Sequence, residues 1–178
     1  MKIFFWGDFM LYSEVEAILK EVGEVPYPSI PYVDKNTGYA QMLYEDFAGN
    51  MGELSAICQY IFEHLSLLDE EIAKIMLAVS KVEMHHLDLI GELIRRLGKK
   101  PIFMSEMGCL WNAGWVKYNF KTIHEMMLFN IETEKIAIQG YEKAKKYTRN
   151  RSIIHLLDRI ILDEQSHIKI FSKIAEVY

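Results

Sequence analysis

A chain of 178 residues, about half hydrophobic and a quarter charged, is large enough to bury a core and too apolar to be disordered. Its net charge of −5, without a basic block, argues against a nucleic-acid partner. Two cysteines, Cys58 and Cys109, with no C-x-x-C, exclude a disulfide framework and a thiolate-held iron or zinc site. No stretch is apolar for long enough to span a membrane, so no membrane contact is expected. Met1–Asp8 is too short, and broken too soon by Asp8, for a signal peptide, so a cytoplasmic location is expected.

Residues 1–36 read as an N-terminal arm. A short helix over Tyr12–Lys20 would place Val15, Ile18 and Leu19 on one face, with Ser13 as its cap. Pro26, Pro28 and Pro31, interleaved with Tyr27, Ile30 and Tyr32, then predict an extended segment lying along a bundle, its own or a partner's. The rest, 37–178, reads as four helices. Helix A is expected over about Thr37–Leu65 on the stripe Leu43, Phe47, Leu54, Ile57 and Ile61, with Gly49 and Gly52 weakening its middle.

Ser66-Leu67-Leu68-Asp69 resembles a capping box and would open helix B, which runs to about Leu97; Gly98 and Pro101 end it. Residues 99–119 then read as a long connection broken by Pro101, Gly108, Asn112 and Gly114. About twenty extended residues reach roughly 65 Å, whereas a helix of ~28 residues is only ~42 Å long. The segment can therefore cross the whole bundle. Helix C follows over about Phe120–Tyr147, and helix D over about Arg151–Val177.

The chemistry lies in a repeat. Glu83-x-x-His86 recurs as Glu164-x-x-His167, 81 residues on. Residues three apart share a helix face, so each step points one carboxylate and one imidazole the same way. The same offset pairs Glu53 with Glu134, Tyr60 with Tyr141, Ile72 with Ile153 and Val79 with Ile160. It selects Glu134 over Glu125 and Glu132 as the helix C acid. Glu134 also shares its face with Met127, Ile131, Ile138 and Tyr141, while Glu132 keeps company with Glu125, Lys135 and Gln139.

Four inward glutamates carry a charge near −4, which an apolar interior does not tolerate without protons or cations. Two divalent cations neutralise them, and two imidazoles complete a set that suits iron or manganese. One such step alone would favour a plain bundle with incidental histidines; two, each matched by a glutamate on the preceding helix, favour the dinuclear site over it. Asp163 is a candidate acceptor for a ligand histidine's second N–H, or else a solvated helix residue. Tyr60 and Tyr141 can hydrogen-bond a ligand carboxylate or donate electrons locally, or can be buried tyrosines with bonded hydroxyls. His85 is rotated about 100° from His86, and His64, His124 and His155 sit away from the glutamate layer; none is expected to hold metal.

With these motifs the chain resembles the ferritin-like superfamily over about residues 37–177, nearest to the rubrerythrins and manganese catalases. The resemblance implies an all-α, ferritin-like four-helix bundle with one long B–C crossover. It also implies two iron or manganese ions held by Glu53, Glu83, His86, Glu134, Glu164 and His167. The expected activity is a rubrerythrin-like peroxidase acting on hydrogen peroxide or dioxygen, with an external electron-donor protein; the alternatives are a manganese catalase and a non-catalytic metal-binding or structural bundle. A homodimer is expected. Rubrerythrins tend to carry a further Glu three residues after the helix C ligand, where this chain has Ala137, and paired C-x-x-C motifs, which it lacks; both departures point toward the catalase type. Met84 follows Glu83 as the haem-binding Met does in bacterioferritins, but only eleven residues follow His167, so haem and storage are not expected.

Overall fold

A computed structural model describes residues 13–15, 17, 18, 20, 23–30 and 32–178. From Thr37 on, five α-helices follow one another: α1 (Thr37–Ala48), α2 (Glu53–Ser66), α3 (Glu70–Arg96), α4 (Ile123–Lys146) and α5 (Arg151–Val177). No strand is present among the described residues, apart from one isolated antiparallel bridge between Met104 and Leu110. The architecture is all-α, as the periodicity predicts.

The expected helix A is two helices. Gly49 ends α1, its N–H bonding Glu45 O, and Gly52 precedes α2 in an extended conformation. Glycine is required here by close approach. A Cβ on Gly52 would lie 2.5 Å from Glu45 O and 2.6 Å from Asp46 O, and one on Gly49 would lie 2.5 Å from Glu45 O. The break makes Glu53 the first residue of α2, where the positive end of the helix dipole favours a carboxylate.

Two other predicted boundaries move. Asp69 caps α3, its side chain accepting from the N–H groups of Glu71 and Ile72, while Ser66 closes α2 and bonds back to Phe62 O. α4 begins at Ile123, not Phe120, because Thr122 caps it by accepting from Glu125 N. Gly98 ends α3 as predicted, at φ +99°.

α2 and α3 form one antiparallel hairpin, α4 and α5 the other, and each pair packs along its length. The segment between α3 and α4 is the long crossover, relieved by a short 3₁₀ turn at Ala113–Trp115. Across the hairpins α2 runs antiparallel to α4: Glu53 meets Tyr141, Tyr60 meets Glu134, and Glu63 meets Asn130.

Two apolar clusters fill the interior. One gathers Leu43, Phe47, Leu93, Leu97, Leu157 and Ile160; the other Tyr60, Met76, Val79, Met127, Phe171 and Ile174. On α3, α4 and α5 the acids and histidines of the repeat fall between these clusters. Each polar step is therefore clamped between apolar turns of its own helix.

The arm lies on this chain's own bundle, with Tyr27, Ile30 and Val33 packed against the first cluster. Residues 13–15, 17, 18 and 20 are helical, with Val15 buried in the second cluster and Ile18 against it. Ser13 is already inside that helix; Tyr12, Leu19 and Pro31, like Met1–Asp8, lie outside the described residues.

Candidate metal centre

All six predicted side chains converge. Glu53, Glu83, His86 and Glu164 bring ligand atoms within 4.8 Å of one another, and so do Glu83, Glu134, Glu164 and His167. Glu83 and Glu164 belong to both groups, so the arrangement is two quartets sharing two carboxylates. Each of the six is at most 3% exposed.

His86 Nδ1 lies 2.9 Å from Glu83, 3.2 Å from Glu164 and 3.6 Å from Glu53. His167 Nδ1 lies 2.8 Å from Glu83, 3.0 Å from Glu164 and 3.5 Å from Glu134. One imidazole nitrogen carries at most one proton and cannot satisfy three carboxylates. Glu83 Oε1 and Glu164 Oε1 are buried without a hydrogen-bond partner. Orphaned acceptors of this kind are costly in a protein interior. A cation in each quartet would satisfy both at once, and a set of carboxylate and imidazole donors without thiolate suits manganese or iron.

The electrostatics of the metal-free cluster point the same way. Burial pushes the Glu53 carboxyl well above its usual range, against the opposing pull of His86. Burial, with Glu164 and Glu83 beside it, raises Glu134 to about 8. Burial also disfavours the Glu83 anion, but His167 and His86 outweigh it and hold that carboxyl below its usual range. For both imidazoles burial alone would lower the pKa, and the surrounding acids instead raise it well above 6.5. Without cations the site balances its charge with protons.

The two tyrosines cross between hairpins. Tyr60 on α2 donates to Glu134 Oε1 on α4, and Tyr141 on α4 donates to Glu53 Oε1 on α2. Each fixes the carboxylate of the opposite hairpin, so the hydrogen-bonding alternative is the one the geometry shows. Glu132 is exposed and pairs with Lys135 at 2.6 Å, on the solvated face. His85, His124 and His155 are exposed, and His64 bonds Ala73 O; none approaches the quartets. Cys58 is partly buried and Cys109 is exposed.

Asp163 takes the role of acceptor. It is 5% exposed, and its Oδ2 lies 3.1 Å from His86 Nε2. Sequence reasoning missed three neighbours of this site. Tyr27, on the arm, donates to Asp163 Oδ2 at 2.6 Å. Arg159 reaches the same oxygen at 2.5 Å from one helical turn away, and that i, i+4 spacing was the available signal. Glu63 is fully buried between the amides of Gln59 (2.8 Å) and Asn130 (2.7 Å), with its pKa raised by burial to about 8.

A narrow cleft between α2 and α4 leads to the carboxylates. Asp46, Gln59, Trp115 and Phe129 line it, and it reaches Glu83 and Glu164. Its interior of about 30 Å³ has room for roughly two water-sized molecules.

Comparison with known proteins converges on one fold. Residues 25–106 match the family of manganese containing catalase. A probable manganese catalase of Clostridium acetobutylicum is 22% identical over 77% of this chain and 70% of its own length. A bacterioferritin of Desulfovibrio desulfuricans is 29% identical over 69% of this chain and 68% of its own. The crystal structure of KatB, a manganese catalase from Anabaena, superposes with a TM-score of 0.79 at 24% identity, covering 86% of this chain and 78% of that one. The fold is ferritin-like. In sequence the chain resembles both a manganese catalase and a bacterioferritin. No described helix is long and apolar enough to cross a membrane.

Proposed function

We propose that this chain is a dinuclear manganese enzyme that disproportionates hydrogen peroxide, two H₂O₂ giving O₂ and two H₂O. The observation that carries the reading is the pair of buried quartets, Glu53–Glu83–His86–Glu164 and Glu83–Glu134–Glu164–His167, with an unpartnered oxygen on each shared glutamate. These six residues would hold the two ions. Bound manganese would supply the two-electron store, accepting electrons from one peroxide and returning them to the next.

The chain's own groups account for the rest. Tyr60 and Tyr141 fix the carboxylates of Glu134 and Glu53, so the ends of the site keep their geometry when its charge changes. The cleft has room for a molecule as small as peroxide. The apolar clusters on either side keep bulk water from the layer. The similarity to manganese catalases favours this reading over the rubrerythrin-like peroxidase, which needs electrons from a donor.

Oxygen evolution decides between them. Purified, manganese-loaded protein is expected to release one O₂ for every two H₂O₂ consumed, with no reductant present. Peroxide consumed only when a reductant is added would establish the peroxidase. Bound metal with neither activity would establish a non-catalytic bundle.

A further inference from the structure

The two hairpins repeat, but their surroundings do not. His86 Nε2 faces Asp163 Oδ2 at 3.1 Å; that oxygen also accepts from the Tyr27 hydroxyl at 2.6 Å and is ion-paired with Arg159 Nη1 at 2.5 Å. Arg159 is in turn held by the arm: its Nε donates to Val25 O at 2.8 Å, and its guanidinium carbon lies 4.1 Å from the Tyr27 ring centroid. Tyr27 packs edge-on against His85 and lies 3.4 Å from His86 Nε2. The arm is thus built into the support of one ligand-bearing histidine.

The other histidine has no such support. The repeat partner of Asp163 is Val82, which has no acceptor to offer. His167 Nε2 finds no hydrogen-bond partner among the described residues; only its Nδ1 does. Glu53 stands at the first position of α2, while its counterpart Glu134 lies in the middle of α4.

An imidazole whose Nε2–H is committed to a carboxylate keeps a fixed ring orientation and added basicity, and once a cation displaces the proton on Nδ1 it presents that lone pair to the opposite side. For His86 that opposite side is the quartet of Glu53, Glu83 and Glu164. The buried His167 ring packs near Phe171, but no carboxylate holds its Nε2 among the described residues. A cation entering the His86 side therefore meets a ligand already arranged, whereas the His167 side must arrange its own.

We propose that the N-terminal arm is a working part of the metal centre. Through Tyr27 and Arg159 it holds Asp163 against His86, so that the Glu53–His86 position fills first and holds its ion more tightly than the Glu134–His167 position. Tyr27, Arg159 and Asp163 are positioning residues that never touch the ion. The inference rests on the metal-site reading above but not on catalysis.

The test is a titration of metal-free full-length protein with Mn²⁺, followed by calorimetry and by electron paramagnetic resonance. Wild type is expected to bind in two resolved steps, giving an isolated-ion signal at one equivalent and a spin-coupled pair at two. Asp163→Asn is expected to weaken the first step by about 10- to 100-fold and to leave the second nearly unchanged. Tyr27→Phe, which removes a single oxygen, is expected to weaken the same step several-fold with an unchanged melting temperature. The Nε2–H proton resonance of His86 in the zinc-loaded protein is expected to shift in both variants, with that of His167 unmoved. Equal weakening of both steps, or isotherms and resonances identical to wild type, would overturn the proposal. Failure of the wild-type protein to bind manganese at all would instead remove the metal-site reading beneath it.

Discussion

Loading the site with metal should expel protons. In the metal-free protein burial raises Glu53 above its usual range and raises Glu134 to about 8, which favours the protonated form of both. His86 and His167 are raised by the acids around them, so both imidazoles are cationic. Two divalent cations need every one of these groups deprotonated. Binding at pH 7 should therefore release several protons per pair of ions, and affinity should climb with pH. Glu134 titrates at about 8, so above that pH the count should fall by one. Glu134→Gln should likewise release about one proton fewer at pH 7. Calorimetry in two buffers of different ionisation enthalpy measures the number directly. Release of about one proton or none at pH 7, or a count indifferent to pH between about 7 and 9, would refute the view that protons stand in for the cations.

Two further expectations follow from burial. Glu134→Ala should reduce bound manganese to one ion per chain or fewer, whereas Glu132→Ala, which removes an exposed pair with Lys135, should retain two by elemental analysis. Glu63 has a folded-state pKa of about 8, above the ordinary 4.5, so the unfolded chain loses this proton first as pH rises. Its contribution is fully present below about pH 4.5 and is lost through about pH 8, at up to ~1.4 kcal/mol per pH unit. Urea denaturation at pH 5.5, 7 and 8.5 should therefore show Glu63→Gln gaining on wild type as pH rises, then levelling off.

Much of this protein was legible in its sequence because its two halves repeat. The recurrence of Glu-x-x-His selected Glu134 over its neighbours, and the structure brings Glu134 and not Glu132 into the cluster. Three features were not legible. Gly49 and Gly52 signal a weak helix, but whether the chain kinks or breaks depends on how closely it passes Glu45 O and Asp46 O, a contact fixed by folding. The caps at Asp69 and Thr122 compete with equally good local candidates, and packing of the following apolar face decides between them. The role of Tyr27 depends on where an extended arm lands, which no periodicity encodes. Asp163 and Arg159 show their spacing on one helix, but the oxygen they share with Tyr27 belongs to the assembled bundle.

The central claim is that two cations replace those protons among the six side chains. Crystals grown with manganese, measured just above its absorption edge, test it most directly. Two anomalous peaks are predicted, one among Glu53, Glu83, His86 and Glu164 and one among Glu83, Glu134, Glu164 and His167. A map with no peak between these residues, or with manganese bound only elsewhere, would contradict it.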